Sequence, residues 1–179
     1  MVNRIVQGSV LAAALLITSA IPAAAQGAAS AGITFFGDNL GVGIDADYAR
    51  QYKSMGMDRT LSWLVDGAFA HKGEAGASLN TFMLDGGVRL EGNAGANATW
   101  HAQGTAGFMH TSLDSDLCDL LNIDCGGSTD FVIMPAGAVT YWFSATKGVK
   151  GQLGIPLVLG GDGADSTIRF DINFVWKLK

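Results

Sequence analysis

The last residues of the chain, "TIRFDINFVWKLK", alternate between apolar and polar side chains. One face consists of Ile168, Phe170, Ile172, Phe174, Trp176 and Leu178. A period of two predicts a β-strand, because successive side chains of a strand point to opposite sides of the sheet. The alternation outlasts the roughly 5–6 residues of an average strand. It matches the roughly 9–11 residues with which a tilted strand crosses a bilayer.

The same period recurs along the chain and predicts eight strands. Their predicted ranges are 31–36, 40–50, 61–72, 80–91, 98–111, 131–144, 150–159 and 167–179. Six of these strands have an aliphatic and aromatic face opposite a face of Asp, Arg, His, Gln, Thr and Gly. Pro135 and Pro156 fall inside the sixth and seventh strands, where each removes a ladder hydrogen bond and is tolerated at a bulge.

The composition indicates which face meets which medium. Hydrophobic residues make up 49% of the chain and charged residues only 15%. Beyond the N-terminal segment, however, no apolar run is long enough for a helix to span lipid. A sheet with an apolar exterior and a polar enclosed side suits lipid, where every backbone group must be paired. The predicted fold is an all-β, eight-stranded antiparallel up-and-down transmembrane β-barrel.

Residues 1–25 have the features of a cleaved signal peptide. Arg4 supplies the positive region, 10–17 is a short apolar core, and Ala23-Ala24-Ala25 offers a cleavage site. The mature chain would be a single domain, 26–179. Loss of Arg4 leaves 10 basic and 16 acidic residues, a net charge of −6 (10 − 16), which argues against a nucleic-acid partner.

The signal peptide, the strand count, "GVGIDADY" in the second strand and "LDGGVRLEG" in the fourth resemble a known family. It is the small outer-membrane β-barrel family of Gram-negative bacteria, the eight-stranded group with OmpA- and OmpX-type barrels. The resemblance covers roughly 31–179 and implies an outer-membrane location, contact with membrane lipid and lipopolysaccharide, insertion by the outer-membrane machinery, and a monomer. Members typically end on an aromatic residue that this machinery reads. Here Phe174 and Trp176 would serve, since the chain continues to Lys179.

The polar faces of the strands should point into the barrel. The residues expected there are Asp45, Asp47, Asp66, Asp85, Arg89, His101, Gln103, Arg169, Asp171 and Lys177. Such a set could line a polar channel or a proton-responsive core, or it could form a packed network of ion pairs. Eight strands enclose a space just wide enough for side chains to fill, which favours the packed network. Neither a cofactor nor a metal is expected.

Two cysteines, Cys118 and Cys125, lie in the longest loop, between the fifth and sixth strands. Two thiols are too few for tetrahedral zinc, which takes four ligands. In an oxidising exported compartment a disulfide is the expected state, and it would restrain a long flexible segment. The same loop is rich in Asp, and a solvated acidic loop is favoured over calcium binding.

His110 and Ser112 raise an enzymatic alternative. Positions i and i+2 of a strand share a face, so His110 could activate the Ser112 hydroxyl, with an Asp from the adjacent loop orienting the ring. The pair resembles the His-x-Ser pair that outer-membrane lipid A deacylases carry on the barrel surface. A histidine and a serine at the membrane–water boundary are more often simple interfacial polar residues.

The sequence therefore predicts a non-enzymatic integral outer-membrane protein with a structural or surface-interaction role through its extracellular loops. The first alternative is a lipid A acyl hydrolase that uses His110 and Ser112. The second is a secreted lipocalin-like small-molecule binder, in which the aromatic faces would line an internal cavity. Gly and Ala crowd the polar faces where a soluble surface would carry Lys and Glu, which disfavours the second alternative.

Overall fold

A computed structural model of the chain describes residues 27–37, 40–56, 58–74, 77–115, 126–160 and 163–178. The predicted signal peptide and both cysteines, Cys118 and Cys125, lie outside these residues. Within them, no helix is long and apolar enough to cross a membrane. The strands are β1 Gly27–Phe36, β2 Gly41–Gly56, β3 Arg59–Glu74, β4 Ala77–Gly95, β5 Ala98–Ser115, β6 Gly127–Trp142, β7 Lys147–Gly154, β8 Leu157–Gly160, β9 Gly163–Ser166 and β10 Arg169–Leu178.

Eight of the strands close into a ring. β1 to β7 pair antiparallel with their neighbours in chain order, β7 pairs with β10, and β10 pairs with β1. The closing pair runs without interruption from Gly27 opposite Leu178 to Phe36 opposite Arg169. This arrangement confirms the predicted eight-stranded antiparallel up-and-down barrel.

The seventh predicted strand is interrupted once, and the eighth begins at Arg169, two residues later than predicted. β7 ends at Gly154, and β8 resumes after Ile155-Pro156 to pair with β6 and with β9. Proline lacks an N–H group, so the ladder breaks there, and the Pro156 carbonyl accepts a hydrogen bond from the Thr167 amide instead. Pro135, by contrast, stays inside β6 opposite Gly104.

In the ring, apolar side chains face outward and polar side chains face inward, as a membrane-spanning barrel requires. Ile172 is 48% exposed, whereas Asn173 beside it on β10 is 1% exposed and faces the interior. Ile33 and Ile44 continue the outward row on β1 and β2, with exposures of 51% and 58%. The lipocalin-like alternative needs the aromatic faces inside, and the structure places them outside.

The two ends of the barrel differ. At the terminal end lie Gly27, Leu178 and the short turns at 56–59, 95–98 and 143–146. At the loop end lie the connections at 36–41, 74–77, 115–127 and 160–163. The third of these is the longest, as predicted, and the terminal end has only tight turns.

An apolar plug, which the sequence did not predict, fills the loop end of the interior. It consists of Phe36, Ala68, Ala70, Met83, Met109, Val132 and Met134, with Leu40 and Val158 packed against it. Met83, Val132 and Met134 are completely buried. Flexible thioether side chains adapt to irregular gaps, so three methionines can seal a tapering space.

Candidate functional site

The predicted interior residues form one continuous polar network, and Arg169 is its first centre. Arg169 on β10 is completely buried. Its Nη1 lies 2.5 Å from Asp66 Oδ2 and its Nη2 3.2 Å from Asp66 Oδ1, while Nε donates to Asp171 at 2.9 Å. Asp45 Oδ2 is 3.5 Å from Nη2. One guanidinium therefore links β2, β3 and β10 through three carboxylates.

Asp47 on β2 is the second centre. It accepts hydrogen bonds from Arg89 at 3.0 Å, from Ser30 at 2.5 Å and from Lys150. Lys150 is 1% exposed and was missing from the predicted set. The alternation of Lys150 and Gln152 with the outward residues of β7 is the signal that could have found it.

Uncharged side chains join the two centres. The Asn173 amide donates to Asp45 at 2.7 Å and to the Ser30 hydroxyl at 3.3 Å, and Ser30 in turn donates to Asp47. Gln152 donates to Asp171 at 3.0 Å. The network thus extends without a break from Asp66 to Arg89. Buried charges are stable away from water only when they are paired and hydrogen-bonded in this way.

The remaining predicted residues occupy different places in the interior. Gln103 accepts from Arg89 at 2.9 Å, and His101 Nε2 lies 2.8 Å from the Thr140 hydroxyl. Asp85 is 3% exposed, and neither of its carboxylate oxygens has a hydrogen-bond partner in the described part of the chain. Lys177 lies at the open terminal rim, exposed, with Nζ 4.2 Å from the centre of the Trp142 ring.

The interior carries an excess of acid. The buried carboxylates are Asp45, Asp47, Asp66, Asp85 and Asp171, and the buried cations are Arg89, Lys150 and Arg169. Asp85 stands directly opposite Asp66 in the register of β3 and β4, so two carboxyl groups are neighbours on the inner face. Asp66 is paired with Arg169, which leaves Asp85 as the member without a cation in hydrogen-bond contact.

The interior is open to solvent at the terminal end. A cavity of about 770 Å³ lies there, and its lining includes Asp47, Arg89, Glu91, His101 and Lys150. Towards the loop end the Arg169 network and then the apolar plug occupy the interior. Among the described residues, no group of three or more His, Cys, Asp or Glu side chains is arranged to hold a metal ion. The geometry is that of a filled barrel with a polar vestibule.

His110 and Ser112 lie on the outer face of β5, near the loop end. His110 Nδ1 is 2.8 Å from the Thr129 hydroxyl of β6, and Ser112 stands opposite Asn80 and Gly127. Asn80 Oδ1 is itself 2.9 Å from His71 Nδ1. In the described part of the chain, the ring partner of His110 is therefore a threonine hydroxyl and not Ser112 or a carboxylate.

No protein-family model and no curated protein matches this sequence. Solved structures do. Ail, the attachment invasion locus protein of Yersinia pestis, superposes with a TM-score of 0.59 at 8% identity over 86% of this chain and 99% of Ail. Neisserial surface protein A gives 0.56 at 8% identity, over 87% of this chain and 96% of that one. The outer membrane enzyme PagL gives 0.50 at 12% identity, over 84% of this chain and 99% of PagL.

These proteins cover the whole ring, yet their sequences are almost unrelated to this one. At such identities the likeness concerns the fold. It shows that the closed ring with an apolar exterior is a transmembrane β-barrel of the small eight-stranded type. Because the set includes an enzyme, the fold by itself does not decide between catalytic and non-catalytic roles.

Proposed function

Because this chain has the fold of the small eight-stranded outer-membrane β-barrels, we propose that it is a non-enzymatic integral outer-membrane protein. Its role is structural or one of surface interaction through the loop end. The observation that carries the proposal is the filled interior. The ion-pair network and the apolar plug occupy the space through which a continuous conduit would have to pass.

The two ends of the barrel suggest its orientation. Outer-membrane barrels have short periplasmic turns and longer extracellular loops. The terminal end, with its tight turns at 56–59 and 95–98, therefore faces the periplasm in this proposal, and the connection at 115–127 faces outward. Residues 1–25 would direct export. The proposed partners are membrane lipid, lipopolysaccharide and the outer-membrane insertion machinery, with the barrel acting as a monomer.

The lipid A acyl hydrolase remains the enzymatic alternative. His110 and Ser112 share the outward face, as that chemistry requires. Against it stands the described contact of His110 Nδ1, which is with the Thr129 hydroxyl and not with a carboxylate that would orient the ring. His110 and Ser112 fit better as part of a row of polar residues near the loop end, where β4, β5 and β6 extend beyond the apolar outer surface.

Location and orientation can be tested with one labelling experiment. In a Cys118→Ser/Cys125→Ser background, Ala164→Cys places a thiol at the exposed loop end and Ala96→Cys places one at the exposed terminal turn. We expect both variants in the outer-membrane fraction. A membrane-impermeant maleimide should label Ala164→Cys on intact cells and Ala96→Cys only after the outer membrane is permeabilised. Recovery in the soluble periplasm, or the reverse labelling pattern, would contradict the proposal.

A further inference from the structure

The aromatic residues divide between the two ends of the barrel. All tryptophans and tyrosines of the chain lie towards the terminal end: Tyr48, Tyr52, Trp63, Trp100, Tyr141, Trp142 and Trp176. The outward aromatic contacts nearer the loop end are made by phenylalanines, as in the pairs Phe35–Phe170 and Phe108–Phe131. Trp and Tyr combine an apolar ring with a polar N–H or O–H group and favour the membrane–water boundary, whereas Phe lacks that group.

Outward aromatic rings occur on several strands at the terminal end. Tyr48 of β2 and Trp176 of β10 both stand opposite Ala29 of β1, one on each side, so they belong to the same cross-strand row. The Tyr48 ring contacts the edge of Trp63, with centroids 5.4 Å apart. A barrel with two equivalent interfaces would carry such girdles at both ends. This barrel has amphipathic rings at one end only.

Outward basic residues occupy the same end. Arg50, Lys53, Arg59 and Lys147 lie on its outer surface, and all except the half-buried Arg50 are exposed. Among the described residues, Asp58 in the β2–β3 turn is the acidic side chain near these cations. Glu91 also lies at this end of the barrel, but its carboxylate faces His101 on the inside. The other described basic residues lie in the interior, at the inner rim or, in the case of Lys72, at the loop end.

The basic residues and the rings are neighbours in register. Arg50 stands opposite Trp63 across β2 and β3, and Lys147 stands opposite Trp176 across β7 and β10. Antiparallel partners have Cβ atoms about 4.5–5.5 Å apart. Each pair therefore presents a cation and an amphipathic ring side by side on the outer surface.

The outward apolar surface of β4 ends near these residues. On β4 the outward apolar run extends from Phe82 to Leu90, roughly the nine residues that a tilted strand uses to cross the hydrocarbon layer. Leu90 pairs with Ala102, and the next outward residue of β5 towards the tight turn at 95–98 is Trp100, which pairs with Gly92 beyond the run. Arg59 and Lys147 lie at the starts of their strands, next to the tight turns at 56–59 and 143–146.

We propose that this terminal belt, formed by Arg50, Lys53, Arg59 and Lys147 with Tyr48, Trp63, Trp100, Tyr141 and Trp176, binds anionic phospholipid headgroups selectively. The cations contact the headgroup phosphates while the rings occupy the ester region between headgroup and chain. Near an anionic surface, each basic residue strengthens binding about fivefold. The proposal rests on the transmembrane fold and does not depend on any role of the loops.

The tryptophans make the belt measurable without an added probe. The purified full-length barrel is reconstituted in phosphatidylcholine vesicles that contain phosphatidylglycerol, with brominated acyl chains on one lipid or the other. Brominated chains quench only adjacent indoles. We expect brominated phosphatidylglycerol to quench with an apparent relative association constant at least about fivefold above that of brominated phosphatidylcholine, and high salt should reduce the difference.

Two variants complete the design. Arg59→Gln/Lys147→Gln removes two of the four cations of the belt and should lower the preference at least about fivefold. Lys72→Gln removes a cation at the loop end and should leave the preference unchanged. Equal quenching of the wild-type protein by both brominated lipids would overturn the proposal, as would a preference that the double substitution leaves unchanged. If neither brominated lipid quenched the tryptophans, the proposal would be overturned and the transmembrane fold would be contradicted as well. The maleimide labelling test of location and orientation could fail independently of this result.

Discussion

Arg169 on β10 and Asp66 on β3 meet inside the barrel through two hydrogen bonds, although 103 positions separate them in the sequence. Neither strand is a neighbour of the other in the ring. The contact therefore crosses the interior and joins two strands that no ladder of backbone hydrogen bonds connects directly.

Arg169→Gln should destabilise the barrel strongly. The substitution leaves Asp45, Asp66 and Asp171 buried without their shared cation, and breaking a buried ion pair costs about 3–5 kcal/mol. Urea unfolding in lipid vesicles, followed by tryptophan emission, measures the free energy of unfolding. Lys177→Gln is the matched control, since Lys177 is an exposed cation on the same strand. An equal effect of the two substitutions would contradict a supporting role for the network.

Asp85→Asn should leave the free energy of unfolding unchanged or raise it. The Asp85 carboxylate has no hydrogen-bond partner in the described structure and stands opposite Asp66, so the amide removes a buried charge without breaking a pair. Asp66→Asn, by contrast, removes the negative charge and one of the two oxygens that accept from Arg169, and it should be destabilising. The same unfolding assay compares the two. A larger loss for Asp85→Asn would show that Asp85 has a partner of its own.

Ile172→Arg should destabilise the barrel in lipid by about 2–4 kcal/mol, the cost of an arginine on a lipid face at mid-depth. Asn173→Arg is the neighbouring inward substitution, and we expect it to do less harm because it introduces a cation beside an acidic interior. A fluorescent label at position 172 supplies an independent readout. A lipid-soluble quencher should reach it and a water-soluble quencher should not. Protection from both quenchers would place Ile172 in a core.

Ser112→Ala should leave lipid A unaltered. The described partner of His110 Nδ1 is the Thr129 hydroxyl and not the carboxylate of a catalytic triad. Mass spectra of lipid A from cells with no barrel, with the wild-type barrel and with the variant should be identical. Loss of an acyl chain that depends on Ser112 would replace the proposed non-enzymatic role by the hydrolase.

Cys118 and Cys125 should form a disulfide in the exported protein. Both lie in one loop and in a chain that carries a signal-peptide pattern. The intact mass should be two protons lower than that of the reduced protein, and thiol reagents should react only after reduction. Quantitative labelling of both cysteines without a reductant would contradict the pairing.

The sequence was sufficient for the barrel because alternation is a local property. Six of the eight predicted strands carry an apolar residue at about every second position. An apolar exterior was favoured over an apolar interior because Gly and Ala crowd the polar faces, where a soluble surface would carry Lys and Glu. Pro156 also marked a real interruption, since a missing N–H group breaks the ladder whatever surrounds it.

The partners inside the barrel could not be predicted, because they depend on which residues reach the same height after closure. Asp66 faces Asp85 on the adjacent strand but pairs with Arg169 across the interior. Met83 escaped prediction for a different reason. It lies between Phe82 and Leu84, so both faces of β4 are apolar there and the alternation that marks an inner side disappears.

The uninterrupted pairing of β1 with β10 completes the ring through one continuous ladder. The strand that covers the last open edge also carries Arg169, which among the described residues is the only cation in hydrogen-bond contact with Asp66 and Asp171. Until that strand docks, the nascent sheet has both an unpaired edge and an unbalanced acidic interior, and each is costly in lipid. Edge closure and charge neutralisation therefore reinforce each other, and an intermediate that lacks the final strand is unfavourable on both counts.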